Sequence, residues 1–203
     1  PLRPFNMALS VLSRKKDKHG GDIEVVNLLE KDCRELNFND SEDSKLYEAF
    51  WLKAKSEYDV TTNKSFEFMK WRYTDIPTRE YKLYVHEDEN GIKSIAVARY
   101  EKVWGFKVSV LMDFMSLEDE SGKKLLKYVK STARLNKMDF IACLHNKTYE
   151  FKILKSAGFL NLPQKFLPQK IHFIVRINKE FKNSNLVKNL SKWKITFGDY
   201  DVF

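Results

Sequence analysis

The chain has 203 residues, 43% hydrophobic and 32% charged, a balance that excludes a disordered chain and fits one larger domain or two small ones. No run approaches 18 consecutive apolar residues, which excludes a membrane-spanning helix. The net charge of +8, from 36 Lys and Arg against 28 Asp and Glu, is spread along the chain; it serves solubility, or it attracts an anionic partner such as a nucleotide-like cofactor, nucleic acid or a membrane surface.

The start, Pro1-Leu-Arg-Pro-Phe-Asn6, has no initiator Met and lacks the layout of a signal peptide, so a fragment of a longer protein is expected. Cys33 and Cys143 stand far apart without metal-type spacing, and a reduced, cytoplasmic setting is the simplest expectation. Residues 1–13 are apolar with two prolines, and Arg14 to Gly21 is charged and ends in two glycines. Residues 1–21 therefore read as an N-terminal segment and linker, and 22–203 as the domain.

Asp22 to Leu29 predicts a first strand. Ser41 to Ser44 can cap a helix that carries Leu46, Phe50 and Ala54 at a helical interval. A second helix is predicted from about Ser65 to Tyr73, with Pro77 preventing continuation. The period then changes to two. Tyr81 to His86 and Ile92 to Tyr100 alternate around a turn containing Asn90-Gly91, which predicts a hairpin. A strand over about Phe106 to Met115 follows, then an amphipathic helix over about Glu118 to Asn136 with Leu125, Leu126, Val129 and Ala133 on its apolar side. Phe140 to Leu144 predicts a short buried strand, and Tyr149 to Ala157 a helix closed by Gly158 with Phe159 folded back. Ile171 to Ile177 predicts a last strand. This order requires an α+β fold, a mixed sheet covered on both faces.

That element order, with the ending Lys155-Ser-Ala-Gly158-Phe159, resembles the GNAT-type N-acetyltransferase superfamily over about residues 22–177. The resemblance implies a six- or seven-stranded mixed sheet flanked by helices. Phe68-Met-Lys-Trp-Arg-Tyr73 and Thr196 to Phe203 are similar to segments of a bacterial subgroup in which such a domain follows another of its kind. Leu2 to Asn6 is similar to the tail of that preceding domain. A sister domain or a homodimer is thus an expected partner.

The resemblance further implies transfer of an acetyl or other acyl group from acyl-CoA to an amine of a small molecule, sugar or peptide. In such proteins the CoA pyrophosphate sits on free N–H groups of a Q/R-x-x-G-x-G/A turn at a helix N-terminus. Aligning Leu125-Leu126 with the family's paired leucines puts that turn at Leu117 to Gly122, where only Gly122 matches. Ser116-Leu-Glu-Asp119 has the form of a capping box, which would satisfy the same N–H groups. Lys123 could offset the acids at an outer phosphate, or it belongs with Lys124 and Lys127 to a solvated face. The backbone near Asp113, Phe114 and Met115 is the implied place for polarising the thioester, and Asn146 matches a cofactor-contacting Asn or is an ordinary turn residue. The family's tyrosine slot holds Leu154, which cannot donate a proton; Tyr149, earlier on the same helix, substitutes for it or packs.

Three further residues carry candidate chemistry. Asp113 is a charge inside an apolar run, and acts as a base or marks the strand end. His145, after the fifth strand, is a second base candidate or a structural residue. Arg72, beside Trp71, grips a substrate carboxylate or stacks between aromatics and pairs with Asp75. No metal site is supported, because the four histidines and two cysteines are scattered. The rival expectation is a degenerate, non-catalytic member that docks on a sister domain or binds a ligand without turnover. A nucleic-acid module is unlike this chain, because Lys70-Trp-Arg-Tyr73 lacks an RNA-binding consensus.

Overall fold

The computed structural model describes residues 6–12, 31–146, 149–162, 176 and 184–200. Asp40 starts the first helix: its carboxylate accepts from the amides of Glu42 at 2.7 Å and Asp43 at 3.3 Å, so two orphan first-turn donors are met. This helix, α1, runs Ser41–Ala54 and buries Tyr47, Phe50 and Trp51. Ser65 caps α2, Phe66–Tyr73, which buries Met69 and Tyr73. The predicted hairpin is present as β4, Lys82–Asp88, and β5, Gly91–Val103, with Gly91 at φ +98°, a conformation that glycine adopts without steric cost. β6, Phe106–Ser116, follows, then α3, Asp119–Leu135. Next come β7, Phe140–His145, and α4, Tyr149–Ser156. Gly158 at φ +80° ends α4, and Phe159, 1% exposed, donates its amide to the Leu154 carbonyl at 3.0 Å.

Seven strands form one mixed sheet. Besides those named it contains β1, Asn6–Val11, β2, Cys33–Glu35, and β8, Leu160–Leu162. The spatial order is β2-β4-β5-β6-β7-β1-β8. The β6–β7 pair is parallel and the other pairs are antiparallel. Two short strands, β3, Val60–Thr61, and β9, Trp193–Lys194, pair in parallel apart from this sheet.

One expectation is corrected here. Residues 6–11, read from sequence as a segment ahead of the domain, lie inside the sheet between β7 and β8, with Ala8 fully buried opposite Cys143. The strands predicted at 22–29 and 171–177, and the linker at 14–21, fall outside the described residues.

Strand alternation divides the core in two. Val85, Ile95, Val97, Met112 and Met115 pack with α1 and α2, while Ala96, Leu111, Phe114, Ile141 and Cys143 pack with α3 and α4. Each large side chain so buried contributes about 1.5–3 kcal/mol. The alternation breaks once. Val97 pairs with Asp113 but Ala98 pairs with Leu111, so Met112 is an extra residue in β6. Met112 and Asp113 then both turn toward the α1 and α2 side, as a bulge requires.

Candidate functional site

The bulge positions the site. Pairing of β6 with β7 covers Val108 to Leu111 against Phe140 to Cys143 and ends there. Beyond it the bulged Met112 has no strand partner and residues 113–116 pair with β5. A bulge bends and twists its strand, so β6 departs from β7 at Met112 and leaves a cleft whose inner edge is the backbone of 112–116.

The chain's own C-terminal segment fills that cleft. Lys194, 5% exposed, donates from Nζ to the Phe114 carbonyl at 2.8 Å and lies 2.9 Å from Glu150 Oε1. Its ammonium also sits 5.6 Å from the Tyr58 ring centre, and the Tyr58 hydroxyl donates to Glu150. Burial, and next the Glu150 charge, push the Tyr58 pKa far up, so this phenol stays protonated. Asn146, buried, donates to the carbonyls of Trp193 and Leu190 and holds the same segment in place. The space left between Leu111, Phe114, Cys143, Leu144, Leu154 and Lys194 is about 10 Å³.

Asp113 lies next to this segment. Its carboxylate accepts from Thr196 Oγ1 at 2.6 Å and from the Tyr73 hydroxyl, and Lys64 Nζ is 2.9 Å away. The same ammonium is 2.9 Å from Asp199 Oδ1. Burial alone would lower the Lys64 pKa, but the two carboxylates outweigh it and hold it above the usual value. Burial likewise acts to raise Asp199, and Lys64 outweighs it, so that carboxyl is held below its ordinary range. A base must reach the proton it takes; Asp113, 1% exposed, is engaged by Tyr73, Thr196 and Lys64 among the described residues.

The first turn of α3 differs from the expected capping box. Ser116 Oγ donates to the Glu118 carbonyl at 2.6 Å, and Glu118, the N-cap residue, makes no side-chain cap. Gly122 is a packing glycine: a Cβ there would stand 2.9 Å from Ser116 Oγ and 3.0 Å from Ile153 Cγ2. Lys123 pairs with Glu120 at 3.2 Å. Tyr149, 44% exposed, stands beside Asp119; burial, and then its hydrogen bond to that carboxylate, push its pKa to about 12. Tyr149 lines a cavity of about 520 Å³ together with Glu57, Tyr58, Ser116, Leu117 and Lys194.

Of the remaining expected residues, His145 lines the inner space and Met115 lies on the cleft edge, while Arg72 and Trp71 do not line it. His145 stacks on Phe151 with ring centres 4.1 Å apart and meets Asn161 Oδ1 at 3.0 Å. Arg72 donates to the carbonyls of Gly198 at 3.3 Å and Tyr200 at 3.2 Å, while Lys70 takes Asp75. Trp71 is exposed and packs against Phe68. Met115 is fully buried in the core. Sequence reasoning missed Lys64, Glu150, Lys194 and Thr196. The available signal was a lysine and a threonine alternating with Trp193, Ile195 and Phe197 in the closing segment. Among the described residues no group of His, Cys, Asp or Glu could hold a metal ion, and no helix is long and apolar enough to cross a membrane.

A CoA thioester, the cofactor implied by the resemblance, does not fit the residues as they stand. The Phe114 carbonyl is taken by Lys194, the inner space is about 10 Å³, and Glu118, Asp119 and Glu120 crowd the turn that would face the pyrophosphate. Each such carboxylate repels a phosphate by roughly 1 kcal/mol at an exposed position.

No family model matches the sequence, and no curated protein matches it. Solved structures do match. A GCN5-related N-acetyltransferase from Anabaena variabilis superposes with a TM-score of 0.50 at 8% identity, over 77% of this chain and 37% of that one. A conserved Enterococcus faecalis protein of unknown function, named a probable N-acyltransferase, gives 0.50 at 7% identity, over 78% of this chain and 37% of that one. This chain thus spans well under half the length of either protein. At such identity the likeness shows the fold, and the fold is that of the GNAT acyltransferases.

Proposed function

We propose that this GNAT-fold chain is a non-catalytic member whose acyl cleft is the seat of its own C-terminal segment, and that it serves by docking on a sister domain or by binding a ligand without turnover. The observation that carries this reading is the Lys194 ammonium on the Phe114 carbonyl, paired with Glu150 inside the cleft. Displacing Lys194 strands the buried Glu150 carboxylate, and leaving one partner of a buried ion pair uncompensated costs about 3–5 kcal/mol. An opening cost of about 4 kcal/mol turns a micromolar cofactor into a millimolar one. The balance therefore favours the closed cleft at ordinary cofactor concentrations.

A second reading is acyl transfer from acetyl-CoA or another acyl-CoA to an amine of a small molecule, sugar or peptide. It is favoured by the bulge at Met112 and the departure of β6 from β7. Under it the proposed roles are acid–base work by Asp113, Tyr149 and His145, cofactor contact by Phe114, Met115, Gly122, Lys123 and Asn146, and acceptor contact by Trp71 and Arg72. The setting proposed for either reading is cytoplasmic.

Calorimetry of the full chain against acetyl-CoA at up to near-millimolar concentration, with a thiol-release assay over a broad amine panel, separates the two. The first reading expects no saturable heat and no thiol release. Turnover with any amine overturns it.

A further inference from the structure

Lys194 lies between two spaces. The outer cavity of about 520 Å³ opens past Ser116, Leu117 and Tyr149. The inner space, about 10 Å³, lies against Leu111, Phe114, Cys143 and Leu154. Of the residues lining the two, Lys194 alone lines both. Its ammonium reaches the bare edge of β6 at the Phe114 carbonyl.

This placement is built from specific contacts. Where β7 leaves β6, the Phe114 carbonyl loses a strand partner, and a buried acceptor must find another donor. Lys194 supplies it at 2.8 Å. Glu150 neutralises the ammonium at 2.9 Å, and Asn146 fixes the backbone just ahead of it by donating to the Leu190 and Trp193 carbonyls. Thr196 on Asp113 and Lys64 on Asp199 secure the segment farther along. Leu111, Phe114, Cys143, Leu144 and Leu154 give the inner space an apolar side, and His145, Glu150 and Thr196 join Lys194 on its polar side.

We propose that Lys194 is an internal pseudo-ligand, a plug whose removal joins the two spaces into a channel that accepts a linear acyl thioester along the Phe114 edge. This rests on the reading of the cleft as a closed acyl site. The volume of the Lys194 side chain blocks the channel, the ion pair with Glu150 sets the cost of moving it aside, and Asn146 acts as the positioning residue that keeps it in place.

The test uses the full chain. Lys194→Ala with Glu150→Gln removes the plug without leaving a buried unpaired carboxylate, and Lys194→Met with Glu150→Gln removes the same charges while keeping the volume. Acetyl-CoA and the phosphate-free thioester S-acetyl-N-acetylcysteamine are titrated into each by calorimetry. The alanine pair is expected to bind at least one of them saturably with Kd below about 1 mM, at least tenfold tighter than the methionine pair or the wild type. Silence in a folded alanine pair overturns the plug and leaves the closed-cleft reading standing. Saturable binding by the wild type overturns the closed-cleft reading itself. Equal binding by both pairs shows that charge, not volume, closes the cleft, and overturns the plug.

A second measurement needs no folded variant of Lys194. Brief acetylation of wild-type amines by acetic anhydride, read residue by residue by mass spectrometry, is expected to modify Lys194 at least tenfold more slowly than Lys123 or Lys192. Asn146→Ala is expected to raise the Lys194 rate severalfold. Equal rates for Lys194 and the exposed lysines in the wild type overturn the proposal.

Discussion

Gly198 shows how tightly the C-terminal segment is set. A Cβ at this position would collide with the Tyr73 hydroxyl and with the Asp113 carboxylate. Gly198→Ala is therefore expected to lower the free energy of unfolding by about 1–3 kcal/mol, the usual range for overpacking, as read from urea titration. A cost below 0.5 kcal/mol, the scatter of ordinary surface changes, would mean that the segment is loosely held. The charges around it set a pH response. Asp199 has its folded pKa held below the ordinary value, because Lys64 outweighs burial. A carboxyl of that kind adds stability that is present above its unfolded pKa, near 3.9, and is lost as the pH falls through the lowered folded value. The urea midpoint is expected to hold from pH 7 to about 5 and to drop below about 4. Asp199→Asn, neutral throughout, should flatten that drop; an unchanged acid slope would remove Asp199 from the account.

At the scale of elements, two close contacts decide geometry. α3 meets α4 through Gly122, whose missing Cβ leaves room for Ile153 and Ser116. Gly122→Ala gains helix propensity of about 1 kcal/mol but must push Ile153 aside, so net destabilisation in urea is expected. The tip of the β5–β6 hairpin carries the opposite flaw: Trp104 sits at φ +48° with 73% of its surface exposed. A left-handed conformation costs a non-glycine residue roughly 1–2 kcal/mol, and Asn tolerates it better. Trp104→Asn is expected to raise the thermal midpoint; a fall would show that the ring has a partner. The hairpin, α2, α3 and the Gly158-Phe159 ending were legible because each signal is local: alternation, a cap, a left-handed glycine. The place of β1 was not. Six apolar residues read alike as a leading tail or as an internal strand, and only pairing with Phe140 to His145, far along the chain, distinguishes them.

For the whole molecule, the sequence carried the mixed sheet but not the state of its cleft. The divergence of β6 and β7 depends on a bulge at Met112. The filling of the gap depends on Lys194, 80 residues from the carbonyl that it meets. No periodicity encodes such a contact, and in Trp193-Lys194-Ile195 a lone lysine reads as the solvent face of a strand. The altered turn at Leu117 to Gly122 and the leucine at position 154 were legible, and both pointed toward a cleft ill-suited to a thioester cofactor. Hydrogen exchange followed by mass spectrometry tests the central claim most directly, because it reads the cleft edge and its occupant together. The account predicts that peptides covering 112–116 and 193–197 exchange slowly in the free chain and are unchanged by acetyl-CoA. Fast exchange in both segments that slows when acetyl-CoA is added would contradict it.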